Sequence, residues 1–225
     1  MKVLVFDTET TNLLPKYVPP TRNNLAKFPH VVQMSFMLYD VDMDVVLESR
    51  DYVIDIPVDA DLSEESTNIH GIDRARMAKD GVSIKTALDE FSRCYALTDH
   101  LVAHNFAFDN TMIIVEALRN GMRAIVNTVD PNRKCFCSMQ KSIAMCNIIA
   151  TNERGSYMKF PKQIELHKYL FGDVVDEDKL HNSFVDILLC LRCYMKMVHD
   201  TDVVDTCEYL SNRFGEIERY TDIRI

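Results

Sequence analysis

The chain has 225 residues, of which 47% are hydrophobic and 26% charged, the composition of a soluble globular protein with one sizeable core. Its formal net charge of −9 speaks against a non-specific nucleic-acid coating protein, which is normally basic, but not against an enzyme that meets phosphate through bound metal ions. No apolar run approaches the roughly 18 residues of a membrane helix and MKVLVFDTE meets acids too early for a signal peptide, so an intracellular location is expected.

Lys2–Phe6 is a short continuous apolar run, the pattern of a strand buried on both faces. Residues 11–30 contain Pro15, Pro19, Pro20, Pro29 and two adjacent asparagines, a loop long enough to suggest a function. Val31–Tyr39 and Asp44–Ile54, rich in β-branched and aromatic residues, predict a hairpin turning near Asp42. Ser63, followed by Glu65 and Ser66, opens a short helix that ends before Gly71. Ser83–Leu97 has helical spacing at Ile84, Ala87, Leu88, Phe91 and Tyr95. Leu101–Ala103 is a short strand, and Asn105 can cap a helix that runs to about Asn120 and stops at Gly121. Asn127–Phe160 is irregular, with helix expected within Ser138–Ile149. Gln163–Leu170 follows Pro161 as a short helix closed by Gly172. Ser183–Val198 is a strong helix with Phe184, Ile187, Leu188, Leu191, Met195 and Val198 on one stripe, and Asp205–Phe214 is the last helix. Strands first, then strand and helix alternating, predict an α/β domain with a mixed sheet and helices on its faces.

The seven cysteines, odd in number and without a secretory signal, read as reduced thiols. Cys135/Cys137 and Cys190/Cys193 leave a zinc site open as an alternative to Cys190 and Cys193 packing as small hydrophobes in a helix.

Three stretches carry chemistry. In VLVFDTETTNLLP, Asp7 and Glu9 lie two residues apart. On a strand that puts both carboxylates on the face of Val3 and Val5, about 6.5–7 Å apart along the backbone. Alone, the pair is compatible with a turn just past a strand or with a site for hard divalent cations. In LVAHNFAFDNTMI, Asp109 lies one turn into a helix, where an acid near the N-terminus is favourable without any further role. In LHNSFVDILLCLRCYM, Asp186 lines up with Cys190, Cys193 and Met197 on a rather apolar face, and a buried carboxylate there needs a partner or a metal. His181 is five residues earlier; on one helix the two would point about 140° apart, so to share a site His181 must come from the loop before the helix, with Asn182 or Ser183 as its cap. A neutral imidazole there suits a general base.

The order Asp-x-Glu, then Asp about 100 residues later, then His-x4-Asp resembles the DEDD (DnaQ-like) superfamily of 3′-to-5′ exonucleases, and the histidine spacing resembles its DEDDh branch. FDTETTNL, VAHNFAFD and HNSFVD match the three motifs. FPHVVQMSFMLYD, STNIHGI and PKQIELHKYLFG look like supporting segments. The resemblance covers about residues 2–198, leaving 199–225 as a helical extension of a single domain. Two positions depart from the family: Asn12 stands where glycine is usual and Ser183 where alanine is frequent. Asparagine tolerates a left-handed backbone, and serine is small and can cap the helix.

The resemblance implies a ribonuclease H-like fold and a two-metal mechanism with Mg2+, or Mn2+ as substitute. It assigns Asp7 to bridge both ions, Glu9 and Asp186 to the ion carrying the attacking water, Asp109 to the second ion, and His181 to take the proton. Thr10, Leu13 or Leu14, His70 and Asn105 are implied in gripping the terminal nucleotide, with ordinary loop packing as the other reading of Leu13. Phe106 and Phe108 read as core, and Lys159 and Lys162 as solvated lysines that could touch phosphate. The expected substrate is a single-stranded 3′ end, DNA ahead of RNA. Alternatives are an exoribonuclease, an end-binding module without turnover, and a zinc-stabilised interaction protein. A proofreading role would require a polymerase partner chain.

Overall fold

The computed structural model describes residues 1–122, 134–172 and 182–219. The first strand, β1 (Lys2–Thr10), does not stop at the apolar run but continues through both acids. It can do so because β2 (Val31–Asp40) pairs with it antiparallel along its whole length, from Lys2 opposite Asp40 to Thr10 opposite Val31, with a register shift only at Glu9/Thr10. The acids therefore belong to the strand itself. β2 turns into β3 (Val45–Val53) as the expected hairpin. On the other edge of β1 lie two parallel strands, β4 (His100–Ala103) and then β5 (Lys134–Cys137). The sheet order is β3-β2-β1-β4-β5, with β1 at the centre. β5 was not anticipated, since four residues with two cysteines carry no period of their own.

Three helices follow the opening hairpin. α1 (Glu64–His70) is capped by Ser63, whose side chain accepts the Ser66 N–H, and ends on Gly71 at φ 69°, a left-handed geometry that glycine adopts without strain. α2 (Arg74–Asp80), capped by Asp73, is an element the sequence did not announce, because it buries only Met77. α3 (Ile84–Ala96) and, after β4, α4 (Phe106–Arg119) cover one face of the sheet. There Leu4, Phe6, Met34 and Phe36 pack against Leu88, Phe91, Met112 and Ile113. Phe91 meets Phe6 and Phe36 edge-on, with ring centroids at 5.4 and 5.5 Å, the geometry ring quadrupoles favour.

Where one helical stretch was expected at 138–149, two single turns stand, α5 (Ser138–Lys141) and α6 (Ile143–Cys146), followed by a separate two-stranded hairpin of β6 (Ile149–Asn152) and β7 (Gly155–Met158). α7 (Gln163–Phe171) closes on Gly172 at φ 76°. α8 (Ser183–His199) covers the second face of the sheet, with Ile187, Leu188, Leu191, Tyr194 and Met195 against Val3, Val5, Met37 and Tyr39. The predicted last helix is two pieces, α9 (Val203–Thr206) and α10 (Glu208–Arg219), separated by an extended Cys207. Their Val203, Leu210 and Phe214 join the α8 core, so α8 is enclosed on more than its predicted stripe; Cys190 and Cys193 are buried while Val198 is 44% exposed. All seven cysteines are free thiols.

The proline-rich stretch 11–30 has only one helical turn, Leu25–Lys27. It is held to α4 by Arg119, which donates to the carbonyls of Leu25, Phe28 and Pro29 and pairs with buried Glu116 at 2.6 Å. Glu116 also accepts the Val31 N–H. One guanidinium thus fixes a loop that lacks a ladder of its own.

A buried polar strip interrupts the apolar face under α8. Gln33 and Ser35 are fully buried and lie opposite Glu9 and Asp7 in the β1–β2 register. The Ser35 hydroxyl lies 2.6 Å from that of Ser183 and donates to Asp51 at 2.8 Å, while the Gln33 amide donates to Asp51 and its carbonyl accepts the Ser183 N–H. Ser183 is thus a tether to the sheet, and the cap is Asn182, whose side chain accepts the Phe184 N–H. Ser35→Ala strands the buried Ser183 hydroxyl, at a cost of roughly 1–3 kcal/mol, or on the order of 2–10 °C in Tm for a chain of this size. Thermal melts should show the loss, and Ser183→Ala in the Ser35→Ala background should add less than it does alone.

Candidate active site

Residues two apart on a strand face the same way. Asp7 and Glu9 accordingly point to the α8 side of the sheet, at the C-terminal end of β1. Asp186 reaches them from the first turn of α8, where its N–H donates to the Asn182 carbonyl. One carboxylate oxygen from each of Asp7, Glu9 and Asp186 lies within 4.8 Å of the others, and all three residues are half-buried. Among the described residues this is the one convergent group of three or more acidic, histidine or cysteine side chains; the two cysteine pairs do not form one. From the opposite side Asp109, one turn into α4 and 2% exposed, accepts both the N–H and the hydroxyl of Thr8 on a single oxygen, at 3.0 and 2.8 Å. Parallel pairing of β1 with β4 ends at Val5, and the main chain beyond it is where Asp109 docks.

The carboxylates raise one another's proton affinity. Burial, then the charges of Asp109, Asp186 and Glu9, holds Asp7 well above the usual carboxylate range. Burial and the charges of Asp186 and Asp109 push Glu9 to about 8. Burial pushes Asp109 to about 7 against the two Thr8 hydrogen bonds, which lower it. A set of hard oxygen donors this close, whose ionised forms are disfavoured until positive charge arrives, fits a divalent cation such as Mg2+ or Mn2+.

Neighbouring groups fix the acids. Gln163, at the start of α7, donates to the Asp186 carbonyl at 2.6 Å. His104, at the end of β4, has Nε2 3.1 Å from the Pro161 carbonyl and Nδ1 2.9 Å from the Ser138 hydroxyl. The carbonyl requires the proton on Nε2, so Nδ1 accepts from Ser138. Burial lowers the His104 pKa to about 4, so it stays neutral and ties β4, α5 and α7 together. Thr8, Gln163, His104 and Ser138 went unread in the sequence; only Thr8, set between two acids, carried a signal.

A cavity of about 340 Å³ opens beside Glu9. Thr10, Leu13 and His70 line it as expected, and so do Asn12, Ser66, Ile69 and Phe108. Phe108, read as core, is a wall of this cavity as well as a core neighbour, whereas Phe106 packs edge-on against Phe6 at 5.6 Å. Leu13 is 81% exposed, while Leu14 packs against the core. The Thr10 hydroxyl donates to the Asn12 carbonyl at 2.7 Å, shaping the turn where asparagine stands in place of glycine. Asn105 precedes α4 at φ 64° with no side-chain cap bond, and it does not line the cavity. Lys159 is paired with Glu165 at 2.6 Å, and Lys162 is exposed. His181 lies outside the described residues.

This architecture is similar to that of E. coli Exonuclease I. The crystal structure in complex with a dA16 oligonucleotide matches with a TM-score of 0.64 and 14% identity, over 87% of this chain and 41% of that chain. The zinc-ion-bound form of the E. coli ExoI–ssDNA complex gives 0.61 and 12%, over 88% and 41%. The structure of Exonuclease I described as suggesting how processivity is achieved gives 0.65 and 14%, over 87% and 41%. This chain thus spans about two-fifths of those proteins, and at such identity the likeness is one of fold. A comparison with curated proteins returns no match. No described helix is long and apolar enough to cross a membrane. The family model described as Exonuclease, of the RNase T type, matches residues 4–194, and with that match the chain belongs to the exonuclease family of the DnaQ-like DEDD superfamily.

Proposed function

We propose that this exonuclease is a divalent-cation-dependent enzyme of the DEDDh branch that removes nucleoside 5′-monophosphates from single-stranded 3′ ends, DNA ahead of RNA. The observation that carries the reading is the convergence of Asp7, Glu9 and Asp186 at the end of β1. With Asp109 pinned behind them, they supply four acids for two cations. Bound divalent cations contribute Lewis-acid activation of water and stabilise the charge that builds on entering and leaving oxygens. Asp7, Glu9, Asp109 and Asp186 hold that charge in place, and Thr8 and Gln163 hold Asp109 and Asp186. His181, directly before the α8 cap, accepts the proton of the attacking water. The cavity of Thr10, Leu13, His70 and Phe108 beside Glu9 receives the terminal nucleoside. Support for single-stranded DNA is that the E. coli enzyme of the same fold is solved with dA16 and dT13 oligonucleotides; the 3′ direction rests on the motif resemblance.

The deciding experiment is degradation of matched 5′-labelled single-stranded DNA, duplex DNA and RNA, with Mg2+ and with chelator. Expected is a metal-dependent ladder shortening from the 3′ end, fastest on single-stranded DNA. Full activity of Asp7→Asn would refute the reading, and a faster ladder on RNA would move the substrate to the ribonucleotide polymer. His181→Ala should lower kcat by roughly 10²–10⁴-fold, the usual contribution of a general base.

The metal-free protein should lose stability as pH rises. Raised folded-state pKa values mean that the folded form keeps protons the unfolded chain releases, from about pH 4 upward, until Glu9 titrates near 8. The cluster's contribution is therefore complete below about pH 4 and falls as pH rises, through about 7 at Asp109 and about 8 at Glu9. Cations replace the protons: at a hundredfold excess over Kd, Mg2+ or Mn2+ should add about 2.7 kcal/mol, or roughly 5–10 °C, more at pH 8 than at pH 5. Asp7→Asn should raise the metal-free Tm and abolish the metal-induced shift, both readable by calorimetry.

A further inference from the structure

The β6–β7 hairpin fills no part of the domain's interior. None of its residues belongs to either hydrophobic core, and a lone two-stranded hairpin in water is marginal. Yet it exposes large apolar side chains: Ile149 at 59%, Tyr157 at 48%, Met158 at 43% and, at its foot, Phe160 at 55%. Ile149 sits opposite Met158 and Tyr157 opposite Ala150, so the two ladder pairs place apolar groups on opposite faces and neither face is covered. Cations stand at its turn and foot: Arg154, Lys159 and Lys162 against Glu153, with Lys159 paired to Glu165 at 2.6 Å, in a protein of net −9. Arg154 lies in the hairpin turn and Lys162 stands at the foot, both exposed.

The foot of the hairpin is fastened to the acidic site. The Pro161 carbonyl is bonded to His104, which precedes the Asn105–Asp109 turn, and Gln163 reaches the Asp186 carbonyl at 2.6 Å. Exposed aromatics with cations beside a nuclease centre match the chemistry of single-strand binding: bases stack on rings while cations follow the phosphates. We infer that the β6–β7 hairpin is an arm that binds the single strand upstream of the terminal nucleotides, stacking bases on Tyr157 and Phe160 and meeting phosphates with Arg154 and Lys162. The inference rests on the proposed nuclease reading and extends it from the terminal nucleotide to the strand behind it.

The test measures binding by fluorescence anisotropy in Ca2+, and KM and kcat in Mg2+, for DNA oligonucleotides of about 4 and about 16 nucleotides, the span of single-strand grooves. Tyr157→Ala/Phe160→Ala should weaken the longer oligonucleotide about fivefold or more, by Kd and by KM, with kcat at saturation within about twofold. The shorter should change by less than about twofold. Arg154→Glu/Lys162→Glu should flatten the slope of log Kd against log salt by about 0.7 for each phosphate that no longer meets a cation. Circular dichroism melts report folding, and these exposed positions should leave Tm unaltered. If wild type degrades the substrates but the variants bind both lengths as wild type does, the arm is refuted and the nuclease reading stands. Equal losses on both lengths refute the arm as well. A wild type that neither binds nor degrades single strands refutes both.

Discussion

Asp7 and Glu9 leave the same face of one strand because the strand's period is two, and α8 brings Asp186 onto that face. Carboxylate oxygens within 4.8 Å repel when ionised by roughly 3–4 kcal/mol per pair at an effective dielectric near 20. Much of the rest of the structure follows from the need to hold that arrangement against its own repulsion. The acids are placed on the central strand of the sheet, paired on one side by the full length of β2. Moving the backbone that carries Asp7 and Glu9 would require β1 to leave both hydrophobic cores.

The supporting groups divide this task between the two faces. On one, Asp109 cannot swing away because Thr8 donates to it from both main chain and side chain. On the other, the N-terminus of α8 is tethered through Ser183 to Ser35 and Gln33, and Gln163 restrains the Asp186 carbonyl. These are buried polar groups in an otherwise apolar layer, and each is satisfied by another member of the same network, which is the condition under which such networks rigidify a core. Stability is given up at the acids and recovered in the shell around them, the usual relation between an active site and its scaffold.

The sequence disclosed whatever has a period or a rule. The opening hairpin, α1 with its Ser63 cap and Gly71 stop, α3, α4, α7 and α8 were all readable from spacing and capping chemistry, and three spaced motifs named the acids that converge. What escaped it depends on neighbours. β5 exists because β4 offers a parallel edge, and α2 buries one residue. Val198 fits the α8 stripe but lies beyond the core, while Cys190 and Cys193 are buried on a side of α8 where Ser138 of α5 stands 3.8 Å from the Cys190 sulfur. Ser183 resembled a cap and is a tether, because Ser35 stands 2.6 Å away. Asn105 stands at the head of α4 in a left-handed conformation without capping it; a spacing rule identifies a position, not the direction of its side chain. Phe108 has core spacing on α4, and only the arrangement of α1 beside it makes it a wall of the cavity.

Charge resolves into zones that an overall value of −9 conceals. On the proposed function the acidic cluster concentrates negative charge where a phosphodiester approaches, and without cations that approach is repelled. With cations bound the same acids become the anchor of a positive centre, so metal occupancy and substrate affinity must rise together. Away from the centre no such reversal is available, and a polyanionic strand leaving the site needs cations supplied by the protein itself. In the proposed arm Arg154 and Lys162 supply them, on and beside a hairpin with aromatic groups and no core to fill. An acidic nuclease can therefore hold a strand at two points of different character. In the proposed arrangement the hold at the terminal nucleotide depends on metal, and along the arm it depends on salt and on stacking.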